Sequence, residues 1–212
     1  MAENQIAQKM ADLDEESVHQ LIKKELAAGA APLALLEMLR EGMMIVSKRF
    51  ENGEYFLPDL IMAGELFKEV STLLRPTPET KPLVNKGSIV FGTVKNDIHS
   101  IGKEVTIAVL EGVGYQVHDL GVNVDPEKFV EKLQETGARI LGLSGLITVA
   151  YDGMKETVEA ITKAGLRDRV KIMIGGGITD DRVRIYTGAD AVGNNPSDAV
   201  NICQKFLGED KQ

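Results

Sequence analysis

Apolar positions along this chain follow two different periods. Up to about residue 75 they recur every three or four residues, the spacing of helices with one buried face. Ile6, Met10 and Leu13 make a first stripe. Val18, Leu21, Ile22 and Leu26 make a second, which Gly29 closes as a C-terminal cap. Pro32 suits the first position of a third helix, whose stripe runs Leu36, Leu39, Met43, Val46 and Phe50. Asn52-Gly53 interrupts the pattern, and Pro58 opens a fourth helix with Ile61, Met62, Leu66, Val70 and Leu73 turned inward. Four amphipathic helices with short connections predict a small bundle.

Arg75–Lys86 is rich in proline and polar residues and has no period, which predicts an interdomain linker. The expected division is therefore residues 1–86, helices with linker, and residues 87–212. Past Gly87 the pattern alternates. Short apolar runs at Ser88–Val94, Tyr115–Leu120, Arg139–Ser144, Val170–Ile174 and Ala189–Gly193 are strand-length. Helical segments at Gly102–Glu111, Pro126–Glu135, Tyr151–Lys163, Thr179–Tyr186 and Pro196–Phe206 lie between and after them. A β-α repeat predicts a parallel sheet covered on both faces, here a five-stranded, doubly wound α/β domain of flavodoxin-like (Rossmann-like) type. Such sheets bind ligands at the carboxyl ends of their strands.

Composition narrows the classes. A net charge of −8 and a pI near 5.0, with scattered Lys and Arg, argue against a nucleic-acid partner. One cysteine, Cys203, excludes a disulfide framework and CxxC metal sites, and its apolar helical context predicts a buried thiol. The polar N-terminus and the lack of a long apolar run predict no membrane partner and a cytoplasmic location.

The candidate chemistry sits at the predicted carboxyl edge. Asp97-Ile98-His99-Ser100-Ile101-Gly102 follows the first strand and puts an imidazole, a carboxylate and a glycine on one loop. Neutral imidazole is a good transition-metal ligand, and a neighbouring carboxylate fixes its tautomer. A single such histidine cannot form a cage, so a metal would arrive with most of its coordination sphere already filled. Ser144 and Thr148 follow the third strand and offer uncharged hydroxyls. Gly175-Gly176-Gly177 follows the fourth and opens a slot for a long group along the backbone. The same residues admit plain readings: Asp97 as a helix cap, the hydroxyls as local hydrogen-bond partners, the glycines as a tight turn. His19 and His118 fit structural or surface roles.

Taken jointly, Asp-x-His-x-x-Gly at 97–102, Ser-x-Leu at 144–146 and Gly-Gly at 175–176 resemble the signature of cobalamin-binding domains. GTVKNDIHSIGKE, GLSGLITVAYDGM and YFLPDLIMAGELF are similar to motifs of corrinoid methyl-carrier proteins and of the cobalamin module of methionine synthase. The resemblance covers the whole chain. It implies an all-α four-helix cap domain before the sheet domain and cobalamin as cofactor, cycling between methylcobalamin and cob(I)alamin. It implies that His99 replaces the dimethylbenzimidazole arm below cobalt, with Asp97 on its other nitrogen. Ser100, Ile101, Gly102, Ser144, Leu146, Thr148, Gly175 and Gly176 fall at cofactor-binding positions, and Phe56, Leu57 and Met62 at positions shielding the methyl group. The partners implied are a substrate-specific methyltransferase, a second methyltransferase delivering to tetrahydrofolate or a thiol such as coenzyme M, and a reductive activator. No residue is expected to be catalytic by itself. One departure is Ala150, where methionine synthase has a serine that extends the His–Asp pair; here water or Tyr151 is left for that role. The alternatives are the cobalamin-binding subunit of an adenosylcobalamin-dependent mutase, a cobalamin-dependent regulator and, ranked last, a metal-free receiver domain.

Overall fold

The computed structural model describes residues 5–74, 86–177 and 179–208. Two compact units are present, one made of the first four helices with residues 111–114, the other built on a single sheet. The expected linker lies outside the described residues apart from Lys86. Among the described residues no helix is long and apolar enough to cross a membrane.

The helical unit holds α1 (Gln5–Ala11), α2 (Glu15–Ala27), α3 (Pro32–Glu51) and α4 (Leu57–Leu73). Gly29 stands where the second stripe places it: its N–H donates to Leu26 O and that of Ala30 to Glu25 O, the paired bonds that close a helix through a left-handed glycine. Ile6, Met10, Val18, Ile22, Leu39, Met43, Val46, Leu66 and Val70 are buried as their stripes predict, and the departures lie beside them. Leu13 falls after α1 in a left-handed turn at φ +58°, and Leu35 takes the core position assigned to Leu36. In α4 the inward residues are Leu60, Ala63, Gly64, Leu66, Phe67 and Val70, while Met62 and Leu73 are exposed. A Cβ on Gly42 would collide with the Met10 side chain, so α1 and α3 approach closely through that glycine.

The second unit runs β1 (Ser88–Thr93), α5 (Ile101–Gly112), β2 (Gln116–Asp119), α6 (Pro126–Thr136), β3 (Ile140–Ser144), α7 (Ala150–Lys163), β4 (Lys171–Gly175), α8 (Asp181–Thr187), β5 (Ala191–Gly193) and α9 (Pro196–Leu207). All strand pairs are parallel, and the order is β2-β1-β3-β4-β5. The expected α/β doubly wound sheet is thus the observed one. Its order reverses between β1 and β3, and the segments leaving those strands open the crevice typical of such sheets. One core cluster joins Val90, Leu141, Leu143, Ile172 and Ile174 of the sheet to Phe129, Met154, Val158 and Ile161 of the helices. Cys203 is buried, as its helical context predicts.

Phe129 is fully buried, and its ring lies where a Cβ on Gly92 would be. Phe129→Ala should therefore leave a cavity and cost about 3–5 kcal/mol, read as a lower urea midpoint. A loss below about 1 kcal/mol would contradict this packing.

Candidate functional site

β1 ends at Thr93, and seven residues follow before α5 begins at Ile101. Asp97 lies in this segment with its side chain wholly buried. An isolated buried carboxylate is costly, so its partners define the site. Oδ1 accepts the His99 backbone N–H at 2.9 Å and faces His99 Nδ1 at 2.7 Å. Oδ2 accepts the N–H groups of Leu146 at 2.6 Å and Ile147 at 3.3 Å, both in the segment leaving β3. Asp97 is therefore not the cap of α5, which is one of its plain readings. It spans the crevice at the strand-order reversal.

Burial alone would push the Asp97 pKa up. The amides of His99 and Leu146, the His99 ring and the Ile147 amide outweigh it, and the net pKa lies below the usual aspartate value. A carboxylate held ionised next to Nδ1 keeps the ring proton on that nitrogen. Nε2 is then the free lone pair, on a side chain that is 49% exposed. The His99 carbonyl is tied down as well, accepting the Thr93 hydroxyl at 2.9 Å. The outcome is one imidazole nitrogen presented outward, with tautomer and backbone both fixed.

Around it the surface is apolar. Ile98 and Ile101, flanking His99, are 74% and 69% exposed, and Val122, Leu146, Ile147 and Val149 are also exposed along the same edge. This collar suits a large, weakly polar ligand face. Ser144 is half-buried and Thr148 exposed, both in the segment facing His99. Gly102 is exposed, and a Cβ built there would meet nothing within 4 Å. The glycine run behaves differently. A Cβ on Gly176 would overlap the Gly145 carbonyl, and one on Gly175 would lie 3.0 Å from Gly193 O. These glycines let the segments leaving β3, β4 and β5 touch backbone to backbone, so the slot expected from them is largely occupied by the chain itself.

Asp97, His99, Ser100, Ile101, Gly102, Ser144, Leu146 and Thr148 are thus drawn to one crevice by β1 and β3, with Gly175 and Gly176 on the neighbouring strand exit. Phe56, Leu57 and Met62 lie at the start of α4 in the other unit, all exposed. His118 Nε2 sits 3.0 Å from Ser88 Oγ, away from the carboxyl edge. Among the described residues the one grouping of three His, Cys or carboxylate ligand atoms is Glu15, His19 and Glu69 in the helical unit, so His99 belongs to no protein cage. Ile101 is among the residues expected from the sequence, whereas Thr93, Ile98 and Ile147 are not; a lone isoleucine in an otherwise polar loop is the signal that marks Ile98.

A family model described as a B12 binding domain matches residues 87–200, and a second of the same description matches residues 2–75. The chain is 37% identical to a corrinoid protein of Desulfitobacterium hafniense over 97% of each chain. It is 35% identical to trimethylamine corrinoid protein 1 of Methanosarcina acetivorans over 92% of each. The methanol:cobalamin methyltransferase complex MtaBC of Methanosarcina barkeri contains a chain with TM-score 0.84 and 25% identity, matched over 96% of this chain and 78% of that one.

Asp97→Asn turns an amide NH2 toward one of the two pairs of N–H groups on the Asp97 oxygens, and should cost about 1–3 kcal/mol at neutral pH. The folded pKa of Asp97 is lowered, so its contribution is present above the unfolded value and fades as pH falls through the folded one. Urea titrations of wild type and variant should therefore converge in acid. A gap constant down to acid pH would rule out an ionised Asp97 as the source.

Proposed function

Because this chain belongs to the B12-binding corrinoid proteins of methyltransferase systems, we propose that it holds cobalamin with His99 as lower axial ligand and carries a methyl group between two methyltransferases. The observation that carries this reading is the presentation of His99 Nε2 by the Nδ1–Asp97 bond at 2.7 Å. The residues fit a corrinoid on two further counts. The edge around His99 is a collar of exposed isoleucine, leucine and valine, and Gly102 leaves a gap that a side chain would fill.

When bound, cobalamin supplies a cobalt centre able to accept a methyl group and release it, chemistry that no side chain here provides. The chain's own part is to bind and to tune. His99 Nε2 would hold the metal, and Asp97, through Nδ1, would set how strongly. Gly102, Ser144, Leu146 and Thr148 flank the path of a displaced dimethylbenzimidazole arm, with Gly175 and Gly176 beside it; Ser100 and Ile101 complete the His99 loop. Phe56, Leu57 and Met62 are apolar and exposed, as groups shielding a methyl must be.

The partners in this reading are a substrate-specific methyltransferase, a second methyltransferase serving tetrahydrofolate or a thiol such as coenzyme M, and a reductive activator. Relatives named for trimethylamine and dimethylamine support a methylated amine as the donor. The match of residues 2–75 to a second B12-binding model favours methyl carriage over an adenosylcobalamin mutase subunit, for which a helical cap is not expected.

Loading the protein with cobalamin tests the axial ligand. His99→Ala should lose the visible spectrum of nitrogen-ligated cobalamin and weaken retention by at least about tenfold. Gly102→Leu should weaken binding while leaving the thermal melt of the free protein equal to or slightly above that of wild type. An unaltered spectrum in His99→Ala would sink the assignment of His99.

A further inference from the structure

We propose that the segment leaving β2, residues 119–124, is a clamp that positions His99, with Asn123 and the Asp119–Lys103 ion pair as its two grips. This rests on His99 being the axial ligand. The chain around His99 has no regular structure, so the reach of its ring depends on where that stretch is anchored at each end.

Upstream, the Asn123 N–H donates to the Asp97 carbonyl at 2.9 Å, and Asn123 Oδ1 accepts the Asn96 N–H at 2.8 Å. Asn96 and Asn123 both have left-handed backbone, at φ +66° and +53°, a conformation that asparagine tolerates better than most residues. Asn123 thus bonds to two successive residues, accepting from Asn96 and donating to Asp97, and ties both left-handed turns together. Downstream, Lys103 Nζ lies 2.5 Å from Asp119 Oδ2, and Asp119 Oδ1 accepts the Gly121 N–H at 2.9 Å. The Lys103 side chain is only 2% exposed. A third tie runs through Thr93: its hydroxyl holds the His99 carbonyl, while its own backbone pairs with Gly121 O and Val124 N–H.

Residues before, at and after His99 are thus all referred to one short segment. Only the lysine end of this pair is buried, the Asp119 side chain being 39% exposed, and an ion pair open to solvent at one end is a weak source of stability. What Lys103–Asp119 does supply is a fixed distance between the first turn of α5 and the end of β2. Neither grip touches the ring, and both act through the backbone that carries it. Asn123 and Lys103 are positioning residues.

The test uses the full chain loaded with cobalamin. Asn123→Gly keeps the left-handed backbone and the N–H but removes Oδ1. Lys103→Met removes the ammonium and keeps the apolar stem. The readout is the ratio of nitrogen-ligated to unligated cobalamin, from the visible spectrum and from nitrogen hyperfine splitting in the cobalt(II) state. Each variant should lower this ratio about threefold and the pair about tenfold, with the melting temperature of the free protein kept. Asn123→Asp retains an acceptor oxygen and should restore the wild-type ratio. If the double variant melts early, Asn123→Gly alone decides. An unchanged ratio in variants that bind cobalamin overturns the clamp. A wild-type spectrum insensitive to His99→Ala would instead overturn the axial-ligand reading, and with it the basis of the clamp.

Discussion

The site hangs on one buried carboxylate. Asp97 carries a charge into a place without water, and four N–H bonds from two different strand exits make that tolerable. The same bonds impose geometry. Oδ1 fixes the imidazole proton and the His99 amide, while Oδ2 holds the turn after β3 at the distance of a hydrogen bond. Removing the charge would thus release both walls of the crevice together. Binding chemistry and local folding here are one interaction.

Topology explains why these parts meet. β1 lies between β2 and β3, so the chain leaving it is flanked by the exits of both neighbours. Asp97 reaches toward the β3 side, and Asn123 and Asp119 reach from the β2 side. His99 stands between, its backbone held on two sides and its ring half-exposed. Apolar side chains crowd the rest of the edge, where a free surface would ordinarily be polar. A rigid donor inside an apolar collar fits the proposed corrinoid, which His99 would hold through a single nitrogen.

Strand and helix positions in the sheet unit were legible because period alternates sharply there, and each observed element lies close to its expected bounds. The bundle was legible in number of helices and in most inward positions, such as Met10, Ile22, Met43 and Val70, but not in every one. Leu35 is buried rather than Leu36, and Leu60 rather than Ile61, while at Gly42 the space a side chain would use is filled by Met10. Periodicity cannot see that, since the decision is made by contact between helices far apart in the chain. The His–Asp pair was legible from two-residue spacing. The amides of Leu146 and Ile147 were not, because backbone donors leave no trace in side-chain identity. Asn123 and Asp119 were hidden for the same kind of reason: their meaning depends on β2 pairing with β1.

Glycine makes the limit sharpest. Gly102 and Gly176 stand in one signature and read alike as places for close approach by a ligand. In the structure they differ. At Gly176 the space a side chain would use is already taken by the Gly145 carbonyl, with φ at +138°, so folding alone requires glycine. At Gly102 none of the described residues lies within reach of a Cβ or calls for glycine inside the first turn of α5, where it weakens the helix. A residue that costs stability and fills no internal need points outward, to something that arrives later. Of the two glycines, Gly102 is the one that speaks for the cofactor.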